Sequence, residues 1–127
     1  MTTEIPVAEW VEFFQSFSQS HDRALVGVEV MSPEVGAQVE GRELRFRGIS
    51  ADQVHQPSTL FVSLETTHGD HVTHAVPAPT HIWLERSPAG AELALQIETK
   101  DRSKTLLRFQ PVQGAESFEG VTIDQRR

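Results

Sequence analysis

Hydrophobic residues near the N-terminus repeat with the period of an α-helix. Five apolar residues share the i, i+3, i+4, i+7 spacing: Val7, Trp10, Val11, Phe14 and Phe17. Pro6 suits the first helical position, because the N–H that proline lacks would have no helical partner there. The pattern predicts a helix from about residue 6 to about residue 20, with its aromatic stripe packed on the rest of the protein.

From about residue 24 to about residue 110 the pattern changes to the alternating, β-branched segments typical of strands. The predicted strands are Leu25–Met31, Ala37–Glu40, Leu44–Arg47, Leu60–Thr67, His71–Val76, His81–Arg86, Glu92–Thr99 and Thr105–Gln110. Residues 50–58 are expected to form a loop. Because most connections are short, antiparallel hairpins are favoured over crossover helices.

These elements predict an α+β fold in one domain spanning residues 1–127. The N-terminal helix packs on a curved, mainly antiparallel sheet, or on a partly open small barrel, of six to eight strands. Residues from about 114 to 127 form a polar, loosely held tail.

Two hairpins near the C-terminus carry predictions of register. A type I turn at residues 87–90 places Leu84 opposite Leu93 and Ile82 opposite Leu95, so that four apolar residues share one face.

The last hairpin allows two alternatives, which depend on the loop length. An even loop points Leu106 and Arg108 toward the core, and an odd loop points Leu107 and Phe109 there. Hydrophobicity favours the odd loop.

The charge of the chain argues against nucleic-acid binding. Among 127 residues, 18 are acidic and 11 are basic, which gives a formal net charge of -7. Such a field repels phosphate. The nearest basic cluster, at residues 100–108, contains Asp101 and is interpreted as a solvated hairpin tip.

The N-terminal residues indicate the cellular compartment of the protein. Residues 1–20 contain no Lys or Arg and no unbroken apolar stretch, so we expect no signal peptide and a cytoplasmic protein. A helix that binds a membrane surface would carry basic residues on its polar face, and no segment approaches the roughly 18 apolar residues of a membrane span. We therefore expect no membrane partner.

Histidines cluster around one predicted hairpin. His68, His71 and His74 lie within seven residues, and imidazole is the commonest protein ligand of zinc. If Gly69 and Asp70 form a two-residue turn, His68 and His71 sit across the hairpin on one face, with Asp70 as a third potential ligand.

The same register limits the metal hypothesis. It places His74 on the opposite face, across from Glu65, so at most two histidines converge. The favoured interpretation is a polar hairpin tip with a His74–Glu65 pair and no cofactor. Zinc or a similar metal at His68, His71 and Asp70 is the alternative.

Trp83 and His81 form a second candidate site. Both alternate onto the sheet face opposite Ile82 and Leu84. Either the helix covers that face, or Trp83 lies in an exposed patch that marks a partner or ligand surface.

No nucleophile elbow, phosphate-binding loop or cysteine is present in the sequence. We therefore expect a non-enzymatic interaction or accessory module, with a protein partner or self-association. The alternative is a small-molecule- or metal-binding protein, including an enzyme, that uses the His68–His74 hairpin.

The order of several short motifs resembles a family of small bacterial proteins known only as a domain of unknown function. The motifs are Glu4-Ile5-Pro6 with Trp10 and Phe14, Gly36-Ala37-Gln38, Gly48-Ile49-Ser50-Ala51-Asp52, Gly69-Asp70-His71 with Thr73-His74, Pro79-Thr80, and Thr105-Leu106-Leu107-Arg108-Phe109. In the last hairpin, Asp101-Arg102 replaces the Asp-Gly turn usual in that family. The resemblance implies no activity and assigns no role to any residue.

Overall fold

The structure, a computed structural model, describes residues 1–52 and 58–110. Its elements, in chain order, are β1 (Thr2–Glu4), a 3-10 turn (Val7–Glu9), α1 (Trp10–Ser20), β2 (Leu25–Ser32), β3 (Gly36–Asp52), β4 (Thr59–Glu65), β5 (His71–Pro77), β6 (Pro79–Arg86), β7 (Glu92–Thr99) and β8 (Lys104–Phe109). The predicted tail at 114–127 lies outside the described residues.

The described strands form one eight-stranded antiparallel sheet in the order β1-β6-β7-β8-β2-β3-β4-β5. The N-terminal helix packs on this sheet, mainly against β3. The sheet is not closed, so its edge strands are β1 and β5. The predicted α+β fold, with one helix on an antiparallel sheet of six to eight strands, is therefore confirmed.

The helix contributes the aromatic stripe expected from its spacing. Trp10, Phe14 and Phe17 are buried, whereas Val7 and Val11 are 64% and 52% exposed. Val7 lies in the 3-10 turn that precedes the helix, and Val11 lies about 100° around the helix from Trp10, at the edge of the stripe.

The core lies on the helix-facing side of the sheet, here called the inner face. Its most fully buried large side chains are Phe46, Leu60, Ile82, Leu84, Leu95, Ile97 and Leu107. Phe17 packs edge-on against Phe46 and Phe109, with ring centroids 5.8 and 5.4 Å away. The helix is thus fixed over the middle of the sheet by aromatic contacts.

The two strands predicted at 37–40 and 44–47 form one long strand, β3, and residues 50–52 extend it into the predicted loop. Register shifts interrupt its pairing with β2 and with β4. Such bulges bend a strand without ending it, which lets β3 follow the curvature of the sheet.

The β6–β7 hairpin has the predicted faces but not the predicted pairs. Leu84 lies opposite Leu95, and Ile82 lies opposite Ile97. The difference is two positions: the loop is one residue longer than predicted, so that Arg86 lies opposite Glu92, and a register shift between Glu85 and Arg86 adds the second position. An even shift leaves every side chain on its predicted face.

The last hairpin adopts the favoured alternative. Leu107 lies opposite Leu95, and both are fully buried. Phe109 is also buried against the core.

The only α-helix among the described residues has 11 residues, which are too few to cross a lipid bilayer. No helix in the described part of the chain is long and apolar enough to span a membrane.

Candidate functional site

The histidine hairpin differs from its prediction because the loop is longer than two residues. The backbone N–H of Thr66 donates to the Asp70 carbonyl at 2.9 Å, and the Gly69 N–H donates to the Thr66 carbonyl at 3.0 Å. The Thr66 hydroxyl oxygen also accepts hydrogen bonds from the N–H groups of His68 and Asp70. These bonds close a five-residue loop at 66–70.

The longer loop changes which residues face each other. His71, not His74, lies opposite Glu65, and His74 lies opposite Val62. The predicted His74–Glu65 and His68–His71 pairs are therefore wrong. Glu65 instead accepts a hydrogen bond from Arg47 at 3.4 Å.

The loop places His68 and Asp70 in solvent at the tip, and His71 is also exposed. Among residues 1–52 and 58–110, no three His, Cys, Asp or Glu side chains are grouped so that they could hold a metal ion. The hairpin brings the histidines near one another in sequence but builds no convergent ligand set.

Trp83 lies on the face of the sheet that the helix leaves open, here called the outer face. Its neighbours in sequence, Ile82 and Leu84, point into the core, whereas Trp83 is half-buried outside it. The His81 ring stacks on the Trp83 ring with centroids 5.3 Å apart and planes 16° apart. Of the two arrangements expected from the sequence, the described residues show the uncovered one.

A depression of about 70 Å³ lies beside Trp83. It is lined by Thr2, Trp83, Glu85, Ala94, Gln96 and Leu106. Ala94 and Leu106 are only 4% and 8% exposed although they lie outside the core cluster. We call this feature the Trp83 pocket.

The strand register explains how the pocket is assembled. Trp83 is paired with Glu4 on β1 and with Gln96 on β7, while Thr2 and Ala94 both pair with Glu85. Residues that pair across antiparallel strands have Cβ atoms about 4.5–5.5 Å apart on one face. Trp83 is therefore flanked by the polar residues Glu4 and Gln96 on the neighbouring strands. The small and apolar residues Ala94 and Leu106 also line the pocket.

Carboxylates surround Trp83 on the outer face. Glu85 follows it on β6, Glu4 lies across on β1, and Glu98 pairs with His81. His81 Nδ1 lies 2.8 Å from Glu4 Oε2, so one of these carboxylates is already engaged. Glu85 has an exposed side chain and lines the pocket.

A larger hollow near the histidine hairpin carries mixed charge. This groove of about 370 Å³ is lined by Arg23 and Arg45, and also by Glu43 and Glu65. The Arg45 guanidinium donates to the Arg23 backbone carbonyl at 3.1 Å. With two cations offset by two carboxylates, the groove has no preference for one sign of ligand charge.

Sequence reasoning missed a contact between chemically active groups at the end of the helix. His21 Nε2 lies 2.7 Å from Glu92 Oε1, and the imidazole contacts the rings of Phe17 and Phe109 in tilted arrangements, with centroid distances of 4.2 and 4.8 Å. Arg86 also contacts Glu92, at 3.4 Å. No local motif links these residues, because the pair is formed only when the helix end meets the start of β7.

Comparisons with known proteins give a family but no activity. The model of a family described as "Family of unknown function (DUF5335)" matches residues 1–117. An uncharacterized protein from Aquifex aeolicus is 26% identical over 110 residues, which cover 87% of this chain and 93% of that protein. No solved structure matches the chain significantly.

Proposed function

The chain belongs to DUF5335, a family of unknown function, and we propose that it is a non-enzymatic protein-interaction module that binds a Lys or Arg side chain of a partner protein at the Trp83 pocket. We also propose that the protein is cytoplasmic, as its sequence leads us to expect. The observation that supports it is the combination, in one depression, of the half-buried Trp83 side chain and the exposed residue Glu85.

The size of the pocket favours a side chain over a free small molecule. Ligand pockets usually enclose about 300–1,000 Å³ and bury most of their ligand. The Trp83 pocket has about 70 Å³, which accommodates the end of one side chain. Further contact with a partner would come from the surrounding sheet face.

The chemistry of the walls favours a cation. An ammonium or guanidinium group is attracted to the face of a tryptophan ring, with a contribution of about 0.5–1 kcal/mol at exposed sites. His81 stacks on Trp83 from its own side of β6, and Glu85 continues the strand on the other side, where the pocket lies. A cation in the pocket would lie between the Trp83 ring and the Glu85 carboxylate.

Two polar side chains of the pocket can accept hydrogen bonds from the bound cation. The Gln96 amide and the Thr2 hydroxyl line the same depression. Both carry acceptor oxygens for the N–H groups of a Lys or Arg side chain. The methylene groups of that side chain would lie on Ala94 and Leu106, because long cationic side chains bury their stems on apolar surface.

The experiment compares two peptides of alternating composition, Lys–Gly and Gln–Gly, by isothermal titration calorimetry. We expect the Lys–Gly peptide to bind and the Gln–Gly peptide not to bind. Trp83→Leu and Glu85→Gln should each weaken binding about two- to fivefold, since each removes an interaction of roughly 0.5–1 kcal/mol.

A matched control separates this site from the overall charge. The net charge of -7 attracts any basic peptide weakly. Glu43→Gln removes a carboxylate on β3, away from the pocket, and changes the net charge as much as Glu85→Gln does. If Glu43→Gln weakens binding as much as Glu85→Gln does, or if Trp83→Leu has no effect, the proposal is wrong.

A further inference from the structure

The strand β5 lies at one edge of the described sheet, where one side of its backbone faces no other described strand. Among the described residues it pairs only with β4, in an unbroken register from Glu65 opposite His71 to Thr59 opposite Pro77. Five of its seven residues are exposed, including Val72 at 42%. A regular, exposed edge strand is a template for another strand.

The hydrogen bonds at both ends of β5 identify which groups face outward. The Thr66 N–H donates to the Asp70 carbonyl, and the Ala78 N–H donates to the Ser58 carbonyl. Hydrogen-bonded and non-hydrogen-bonded pairs alternate along an antiparallel ladder. The groups that point away from β4 therefore belong to every second residue of the strand, which are His71, Thr73, Ala75 and Pro77.

The usual protections against edge pairing are absent from β5. Natural edges are blocked by lysine or other charges, by bulges, or by proline at an interior position. Within His71–Pro77 there is no Lys, Arg, Asp or Glu, no bulge interrupts the pairing with β4, and proline occurs only at the last position. The opposite edge, β1, has three residues and is too short for extended pairing.

We propose that β5 is a self-association surface, at which two copies of the chain pair their β5 strands antiparallel about a two-fold axis at His74. This inference goes beyond the function proposed above and is independent of it. The Trp83 pocket is built by β1, β6, β7 and β8, at the other end of the strand order.

The register centred on His74 is the one with full overlap of the two strands. His71 then lies opposite Pro77 of the second copy, and Thr73 lies opposite Ala75. All three outward N–H groups of each strand find a carbonyl acceptor, because proline contributes a carbonyl and needs no acceptor itself. Val72 lies opposite Val76, which covers its exposed apolar surface.

Because β5 contains no Asp, Glu, Lys or Arg, its pairing with a second copy brings no like charges together within the strand, although the chain is acidic. The acidic residues that give the chain its net charge of -7 all lie outside β5. In the full-overlap register, the nearest aspartate, Asp70, lies beyond the end of the paired segment, next to Ala78 of the second copy. No carboxylate in either strand therefore faces another across the interface, where like charges would oppose pairing.

The test uses the absence of cysteine in the chain. His74→Cys introduces one thiol at the two-fold axis, where paired Cα atoms of a non-hydrogen-bonded pair are about 4.5 Å apart, within the range of a disulfide. We expect this variant to form a disulfide-linked dimer on mild oxidation.

His71→Cys is the matched control for cross-linking on the same strand. In the proposed register its two thiols lie about 20 Å apart, since six residues separate their positions along the strands. Equal cross-linking of His71→Cys and His74→Cys would overturn the register.

Association without a cross-link is measured by sedimentation equilibrium from micromolar to millimolar concentration. At the highest concentrations, the measured mass of the wild-type protein should be twice that of the monomer. Trp83→Leu should behave in the same way. Val72→Lys places a charge on the edge, and Thr73→Pro removes an outward N–H without removing a bond to β4. Both variants should remain monomeric, with circular dichroism confirming that they fold.

Val39→Lys is the control for Val72→Lys, because Val39 is also an exposed strand valine, at 49%, but on β3. It should dimerise like wild type. A wild-type chain that stays monomeric at millimolar concentration, or a dimer that persists in both Val72→Lys and Thr73→Pro, would overturn the proposal.

Discussion

His21 and Glu92 are 71 positions apart in the chain, and their side chains meet at 2.7 Å. His21 follows the last residue of α1 as its C-cap, and Glu92 begins β7. The contact therefore fastens the end of the helix to the sheet. The imidazole is 15% exposed and the carboxylate 27%, so water screens the pair only partly.

We expect His21→Ala to lower the free energy of unfolding by about 1–3 kcal/mol, because it removes a hydrogen bond to a charged group and two aromatic contacts. Urea denaturation checks this value. Combining the change with Glu92→Ala in a double-mutant cycle gives the interaction between the two residues. His68→Ala, in the exposed loop, should change stability by less than about 0.5 kcal/mol. A similar small effect at His21 would contradict the assigned role of the contact.

The helix provides a second prediction, from two residues of the same apolar spacing. Phe14 is 2% exposed and Val11 is 52% exposed. Phe14→Ala should cost about 3–5 kcal/mol of unfolding free energy, since it removes a buried ring and leaves a cavity. Val11→Ala should cost less than about 0.5 kcal/mol. Comparable losses for the two variants would show that the helix is rotated relative to the structure.

The sequence predicted the faces of the sheet better than its pairs. The β6–β7 pairing differs by two positions from the prediction, and Leu84 still points into the core. Burial selects the face, so the hydrophobic pattern reports it. The exact partner depends on bulges and loop bonds, such as the register shift after Glu85, which no alternation of residues encodes.

The histidine hairpin shows the limit of the same reasoning. There the partner of Glu65 differs by three positions, an odd number, so the histidine facing it changed from His74 to His71. The cause is the Thr66 hydroxyl, which accepts two loop N–H groups and extends the turn. Threonine side chains commonly form such local hydrogen bonds with the backbone. Whether these bonds form in place of a two-residue Gly69-Asp70 turn depends on the conformation of the complete loop.

Of the candidate sites, the Trp83 face could be predicted and the His21 contact could not. Strand alternation placed Trp83 opposite Ile82 and Leu84, and the structure keeps that arrangement. His21 and Glu92 are brought together only by the crossing of the helix over the sheet. That crossing depends on how Phe17 packs against Phe46 and Phe109, which is a property of the assembled core.

The loop between β7 and β8 predicts a dependence of stability on pH. The Thr99 hydroxyl donates to the Asp101 carboxylate at 2.6 Å, and the Ser103 backbone N–H donates to it at 2.9 Å. The Thr99 bond first, and then the Ser103 bonds, lower the pKa of Asp101 below its ordinary value. Its contribution to stability is therefore complete above the ordinary pKa near 4 and is lost as the pH falls through the lower, folded value.

We expect Asp101→Asn to be less stable than wild type at neutral pH, and we expect the difference to shrink below about pH 4. Urea denaturation at a series of pH values measures it. The control is Asp70→Asn, an exposed aspartate of another hairpin loop. A difference that grows as the pH falls would contradict the assigned hydrogen bonds.

Zinc should not stabilise the fold through the histidine hairpin. His68 and Asp70 lie at the exposed tip, and His71 faces Glu65, a carboxylate that contacts Arg47. We expect the melting temperature to be the same with and without zinc at pH 8, a condition that favours metal binding because metal and protons compete for the same ligands. A rise of several degrees that is lost in both His68→Ala and His71→Ala would contradict this expectation and support a metal site.

The binding of a cation at the Trp83 pocket is tested most directly by nuclear magnetic resonance. The Lys–Gly peptide is titrated into the uniformly labelled protein, and the shifts of the two tryptophan indole N–H signals are followed. Trp10 donates its indole N–H to the Ile5 carbonyl and is 5% exposed, so its signal serves as the internal control. The account predicts that the Trp83 indole and the backbone signals of Glu85 and Gln96 move in a saturable way while the Trp10 signal stays fixed. Saturable shifts confined to another surface, or no shift at Trp83, would contradict it.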